Sequence, residues 1–227
     1  MYAIVLTTQK GGSGKSTLAI GLAVAAMDHG ERVGVIDADP QGTISNWRRR
    51  RANPKPRIER ASSGSAIERA LFELGRDGCT VAIIDTAATI NTLSADAIGA
   101  ADLCLIPARP SPADIEAALP TISTARKLDK RLAFILNQTP ARSNRASEAA
   151  SALNSAGVLA LPYIVQRNDH QDALGAGLGV TEYDSRGQAA EEMRGLWRWI
   201  WQSLTMESLD HGPIPNGEAG WRSAARA

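Results

Sequence analysis

Residues 10–17 read Lys10-Gly11-Gly12-Ser13-Gly14-Lys15-Ser16-Thr17, directly after the apolar run Ala3-Ile4-Val5-Leu6. A buried strand that feeds a glycine-rich turn and then a helix is a phosphate-binding corner. Gly11, Gly12 and Gly14 let the backbone turn tightly and point N–H groups at phosphate oxygens. Lys15 has the reach for the β- and γ-phosphates, and the Ser16 hydroxyl can ligate Mg²⁺. The helix expected over 15–29 adds its positive N-terminal end. Ser13 and Thr17 complete the nucleotide-binding set.

Working outward, short apolar runs at 3–8, 32–37, 81–85, 103–107, 132–137 and 158–161 alternate with periodic or alanine-rich stretches near 15–29, 64–76, 92–100, 112–129 and 143–156. Uniformly apolar strands alternating with helices predict an α/β fold, a mostly parallel twisted sheet with helices on both faces. In such sheets chemistry collects at the carboxyl ends of the strands. Gln9, Asp37, Asp85 and Asn137 stand at those ends.

The chain has 227 residues and a formal charge of +1, so any basic footprint must be local. Cys79 and Cys104 sit in strand-like surroundings, which predicts reduced residues rather than a disulfide framework. That placement also argues against an iron–sulfur cluster. The first residues read as a strand and not as a signal segment, and no apolar stretch approaches the ~20 residues that span a bilayer. A cytoplasmic location is expected.

The standard phosphate-loop pattern G-x-x-x-x-G-K-[ST] would begin with glycine at position 9, and this chain has Gln9 followed by Lys10. Lys10 is too close to its own loop simply to duplicate Lys15. It can instead reach a phosphate on a second subunit, as an arginine finger does in phosphoryl transfer. Here the sequence resembles the deviant Walker-A ATPases, the group of ParA, MinD and the nitrogenase iron protein. The resemblance covers residues 1–204 and is most similar to the short, ParF-like partition ParA proteins. It implies a P-loop ATPase domain that uses ATP and Mg²⁺ and forms a nucleotide-sandwich homodimer crossed by Lys10.

Further motifs supply the rest of the candidate site. Val35-Ile36-Asp37-Ala38-Asp39-Pro40-Gln41-Gly42 sets two carboxylates beside the phosphate loop. Hydrolysis needs a group that orients water on the γ-phosphate. By the match to the family's first switch motif, Asp39 takes that role and Asp37 supports the Mg²⁺ shell. Val81-Ala82-Ile83-Ile84-Asp85 has the shape of a Walker B strand, whose terminal aspartate holds Mg²⁺, usually through water. Where the family often continues Asp-Thr-Pro with a glycine, this chain has Asp85-Thr86-Ala87-Ala88-Thr89. The Asn137 amide offers donor and acceptor to a purine edge; in the family the matching asparagine contacts adenine. Pro107-Ala108-Arg109-Pro110-Ser111-Pro112-Ala113-Asp114 has two readings. Similar loops lie at the dimer interface of small ParA proteins; equally, Ser111 caps a helix whose first turn holds Pro112.

Positive charge is concentrated at Arg48, Arg49, Arg50, Arg51, Lys55, Arg57 and Arg60, and again at Arg126, Lys127, Lys130 and Arg131. Such clusters give salt-sensitive affinity for DNA phosphates without sequence preference. The first follows the switch motif, which predicts coupling to the nucleotide state as that segment moves. A final helix over 186–204 carries Met193, Leu196, Trp197, Ile200, Trp201 and Leu204 at helical spacing, as for packing on the sheet. Residues 205–227 are expected to be a poorly ordered tail. The segment 163–184 also looks like the small partition proteins. The implied function is ATP-driven DNA segregation, nucleoid-associated, with a ParB-like centromere-binding partner that stimulates hydrolysis. The alternatives are a relative that positions protein cargo or assists DNA transfer, and a MinD-like membrane-associated ATPase. No stable membrane association is expected.

Overall fold

A computed structural model of the chain describes residues 1–89, 91–141 and 144–206. The strands are β1 (Tyr2–Leu6), β2 (Val33–Ala38), β3 (Arg57–Arg60), β4 (Val81–Thr86), β5 (Leu103–Ala108), β6 (Leu132–Leu136) and β7 (Val158–Ala160). The helices are α1 (Lys15–Asp28), α2 (Thr43–Arg50), α3 (Gly64–Arg76), α4 (Thr92–Ala100), α5 (Pro112–Glu116), α6 (Leu119–Lys127), α7 (Asn144–Ala156), α8 (Asp169–Gly175), α9 (Val180–Tyr183) and α10 (Gln188–Thr205). The strands form one sheet in the order β3-β2-β4-β1-β5-β6-β7, every pairing parallel.

All strands but β3 are mainly apolar because both faces of the sheet are covered. Successive side chains point to opposite faces, and the core divides accordingly. Ile4 and Leu6 of β1 pack with α1, α2, α8, α9 and α10, whereas Val5 packs with α3, α4, α6 and α7. α10 lays Met193, Leu196, Trp197, Ile200 and Leu204 into the first layer. Its apolar face is therefore covered by the sheet and by α1, which is the packing its periodicity predicts. No helix among the described residues is long and apolar enough to cross a membrane.

Each expected strand is present within a residue or two of its predicted bounds. β3 is an addition. Its sequence Arg57-Ile58-Glu59-Arg60 has one apolar residue, because β3 is an edge strand paired only to β2, from Gly34↔Arg57 to Asp37↔Arg60. Of the arginine run, read from the sequence as charge alone, Arg48, Arg49 and Arg50 are the last turn of α2 and Arg51 is its C-cap. The helix expected over 112–129 is two, α5 and α6: Pro120 lies in the first turn of α6 and has no N–H for a bond back into α5. α10 runs to Thr205, and the tail expected beyond it lies, from residue 207, outside the described residues.

Cys79 and Cys104 are both free. Burial pushes the Cys104 thiol up to about 12, which makes it an inert core residue.

Candidate functional site

β1 sits mid-sheet with β4 on one side and β5 on the other. The chain travels one way from β1 through β2, β3 and β4, then crosses back to β5, so the crevice at the carboxyl end of β1 is the topological switch point. The phosphate loop fills that crevice. Gly12 (φ 76°) and Gly14 (φ 87°) take left-handed backbone conformations that side-chain-bearing residues adopt at a cost. Gly14 is the N-cap of α1, no side chain caps it, and the first turn carries no acid. The leading N–H groups of α1 are thus kept clear of competing side-chain acceptors, as an anion site requires.

Lys15 is buried, with Nζ 3.4 Å from the Thr8 carbonyl. Burial lowers its pKa, against the pull of Asp85 and Asp39. Asp37 and Asp85 are direct cross-strand partners on β2 and β4, and Asp85 pairs on its other side with Leu6, the last residue of β1. Two buried carboxylates thus stand side by side next to the loop. Burial pushes the Asp85 carboxyl up to about 7; Ser16 and Lys15 work against the rise, and Asp37 and Asp39 add to it. Both Asp85 oxygens and Asp37 Oδ1 are buried with no hydrogen-bond partner. Adjacent orphaned carboxylate oxygens, with the Ser16 hydroxyl beside them, are a hard-oxygen donor set that fits a divalent cation. Among the described residues no cluster of three His, Cys, Asp or Glu side chains forms a protein-only metal cage. That suits an ion such as Mg²⁺, which keeps waters and substrate oxygens in its shell.

The other oxygen of Asp37, Oδ2, accepts from the Ser45 N–H at 3.0 Å and the Ser45 hydroxyl at 2.5 Å. Asp37 is thereby tied to the first turn of α2, a link that its strand-end position alone did not reveal. Asp39 lies half-buried at the mouth of the site, and its Oδ1 accepts from the Gln41 N–H at 2.9 Å. Gly42 (φ 63°) then turns the chain into α2. Lys10 is half-buried and Gly11 exposed at the front of the loop.

Two amides brace the loop from the end of β6. Asn137 Nδ2 donates to the Ser13 carbonyl at 2.7 Å, and Gln138 Nε2 donates to the Gly12 carbonyl at 3.0 Å. Gln138 holds a left-handed backbone (φ 53°) without being glycine, a cost that this bracing offsets. Nothing in the local pattern singled out Gln138; only the neighbouring Asn137 was legible. In the 107–114 loop, Ser111 caps α5 by accepting from the Asp114 N–H, with Pro112 in the first turn. The helix-start reading of that loop is therefore realised.

The basic residues divide. Arg49, Arg50 and Lys55 are exposed and Arg48 is half-buried; Arg50 also donates to the Leu174 carbonyl. Arg51 corrects the sequence expectation, because its side chain is 0% exposed. It forms a bidentate pair with Glu182 at 2.7 Å on both arms, donates to the carbonyls of Lys55 and Gly177, and lies 4.8 Å over the Trp47 ring. A guanidinium with that many partners belongs to the core and is not offered to a DNA phosphate. Arg126 donates to the Ala156 carbonyl, Lys127 is exposed, Lys130 is half-buried, and Arg131 donates to the Ser203 carbonyl. These four lie at the end of α6 and before β6, at the amino-terminal end of the parallel strands, opposite the phosphate loop.

Comparison with known proteins agrees with this geometry. Maintenance of carboxysome distribution protein A of Halothiobacillus neapolitanus is 26% identical over 201 residues, 84% of this chain and 92% of that protein. Protein ParA of Rhizobium radiobacter is 33% identical over 117 residues, 50% of this chain and 51% of that protein. The structure of cobyrinic acid a,c-diamide synthase from Mycobacterium smegmatis with bound ATP analog and magnesium superposes with a TM-score of 0.75 at 16% identity, covering 92% of this chain and 97% of that one. The family described as CobQ/CobB/MinD/ParA nucleotide binding domain matches residues 4–180. With the phosphate loop at the switch point and paired carboxylates beside it, the chain belongs to that family.

Proposed function

We propose that this chain is a ParA-type ATPase that couples ATP binding and hydrolysis to the movement of DNA. The observation that carries the ATPase at the centre of this reading is the register of Asp37 and Asp85, two buried and partly orphaned carboxylates beside a phosphate loop that begins with Lys10; the exposed basic residues support its DNA part. ATP and Mg²⁺ are the cofactors; Ser16, Asp85 and Asp37 would hold the ion. When bound, Mg²⁺ supplies charge neutralisation for the transferring phosphoryl group. Backbone N–H groups of Gly11, Gly12, Ser13 and Gly14, with Lys15, Ser16 and Thr17, hold the phosphates. Asp39, at the mouth, orients the attacking water. Asn137 Oδ1 serves the purine edge while its Nδ2 keeps the loop closed. Lys10 crosses to a second copy, so the active unit is a homodimer assembled on ATP.

Arg48, Arg49, Arg50 and Lys55, with Arg126, Lys127, Lys130 and Arg131, supply sequence-independent affinity for duplex DNA. A ParB-like centromere-binding protein would stimulate hydrolysis and release the complex from the nucleoid. The test is binding to random-sequence duplex DNA with ATP, with ADP and without nucleotide, each over a salt series. ATP-dependent binding that weakens steeply with salt supports the reading; no binding in any state overturns it and leaves the ATPase assignment standing.

A second reading, positioning of a protein cargo, has its own support: the carboxysome-distribution relative matches over 92% of its length, whereas the partition relative matches over half. Both readings share the ATPase cycle and the nucleoid surface. Capture of a DNA-bound partner, against capture of a partner on a protein assembly, separates them.

A further inference from the structure

Arg109 and Asp114 form an ion pair for which the phosphate loop and its carboxylates give no reason. β5 lies beside β1 in the sheet, so its carboxyl end delivers Arg109 to the flank of the phosphate loop. The Asp114 side chain, 2% exposed, accepts from Arg109 Nε at 2.8 Å, from Arg109 Nη2 at 3.3 Å and from the Ser111 hydroxyl at 2.5 Å. Burial works to raise the Asp114 carboxyl, and the bonds from Arg109 and Ser111 outweigh it and leave it lowered. Pro110, Pro112 and the Ser111 cap stiffen the backbone between the partners. The guanidinium is therefore held in one orientation. Asp114 occupies Nε and Nη2. The remaining nitrogen, Nη1, faces the loop and lies 3.9 Å from where a Cβ would stand on the exposed Gly12.

We propose that Arg109 is a second cation of the nucleotide site, which donates through Nη1 to the triphosphate held between two copies of the chain. This rests on the sandwich-dimer reading of Lys10. A latched guanidinium keeps its charge at every working pH and loses little freedom when it binds. Nη1 carries two N–H donors, and phosphate oxygens accept such charge-assisted bonds strongly. A triphosphate offers it more than a diphosphate, so Arg109 ties dimerisation to the γ-phosphate. Asp114 is a positioning residue for it.

The test compares the parent with the Arg109→Gln/Asp114→Asn double variant, which removes the cation without leaving a buried carboxylate unpaired, and with Arg109→Lys. Sedimentation velocity gives the dimer constant with Mg²⁺ and a non-hydrolysable ATP analogue and with Mg²⁺-ADP; melting is followed in parallel. The double variant should bind ADP as the parent does. It should dimerise with the analogue more weakly by about 10- to 100-fold for each of the two Arg109 contacts that the dimer loses, the range for losing one hydrogen bond to a charged group. Arg109→Lys should recover part of that loss. The deciding readout is the triphosphate-over-diphosphate ratio of dimer constants, taken where both proteins are folded, because a merely disturbed loop weakens both states alike. A parent-like ratio overturns the role of Arg109 while the sandwich stands. A parent that fails to dimerise on the analogue overturns the sandwich, and this role with it.

Discussion

Replacing Glu182 with alanine should lower the melting temperature by roughly 6–12 °C. Arg51 is fully enclosed, and Glu182 is its only formal counter-charge at hydrogen-bond distance among the described residues. Removing one partner of such a pair leaves an uncompensated buried charge, which costs about 3–5 kcal/mol. Here Arg51 keeps two carbonyl acceptors, on Lys55 and Gly177, and its contact with Trp47. The lower figure, about 3 kcal/mol, is therefore expected, and in a domain of this size each kcal/mol shifts the midpoint by about 2–4 °C. Glu182 also accepts from the Gly179 N–H at 2.9 Å, so α9 loosens with it. Circular dichroism melting at neutral pH is sufficient. Glu182→Gln, which keeps a carbonyl acceptor, should lose less than Glu182→Ala. The pH dependence has a fixed sign. Burial raises the Glu182 carboxyl, but the bond and charge of Arg51 together with the Gly179 N–H outweigh it and leave it below the ordinary 4.5. The stability it contributes is present above the ordinary value and is lost as pH falls through the lowered one. A Glu182→Ala protein that melted within about 2 °C of the parent would refute the reasoning: desolvation of the pair would then cancel its attraction.

Other outcomes follow from the same geometry. Lys15→Ala should abolish nucleotide binding in an equilibrium titration with a fluorescent ATP analogue; retained tight binding would remove the phosphate-loop assignment. Asp39→Ala should dimerise with ATP and fail to release phosphate, and normal turnover would mean that another group orients the water. Arg49→Ala and Arg50→Ala should each reduce the slope of log affinity for DNA against log salt by about 1 for each phosphate left unneutralised, with melting unchanged for Arg49→Ala. An unchanged slope in both would take α2 out of the DNA surface.

The central sheet was legible because its strands are covered on both faces, and such strands read as unbroken apolar runs. β3 was not, since an edge strand with one apolar residue in four has no run to read. The phosphate loop was legible because glycine and lysine at those spacings answer a local demand of the backbone and of the anion. Asp37 and Asp85 were found one at a time, each at a strand end; their adjacency depends on β4 inserting between β1 and β2, a long-range pairing that no local pattern encodes. Arg51 was misread for the same reason. Within Arg48–Arg51 the four residue types are identical, and only the arrival of Glu182, 131 positions later, makes the last of them a core residue. Gln138 braces the loop from the end of β6 and Arg109 stands beside it at the end of β5, where the sheet order brings them.

The two clamps on α2 bear on how DNA affinity can depend on the nucleotide. At its start, Ser45 is bound to Asp37; at its end, Arg51 is bound to Glu182 and Trp47 Nε1 donates to the Leu178 carbonyl at 3.0 Å. A helix held at both ends does not swing when the Asp39–Gly42 turn rearranges, so movement of α2 is a poor switch for Arg48, Arg49 and Arg50. Dimerisation is the better one. Joining two copies doubles the number of phosphates engaged without moving any arginine within a copy, and the second set binds at the raised effective concentration of a tethered site. The salt slope should then roughly double from the nucleotide-free monomer to the ATP dimer. A variant that binds ATP but stays monomeric should show the monomer's slope whether or not ATP is present. Gly11→Phe serves once an equilibrium titration shows that it still binds ATP: it keeps the backbone N–H that meets phosphate, Gly11 is exposed at the front of the loop, and a Cβ there meets nothing within 4 Å beyond its two chain neighbours. ATP-dependent DNA binding by that monomer would refute the argument and return the switch to α2.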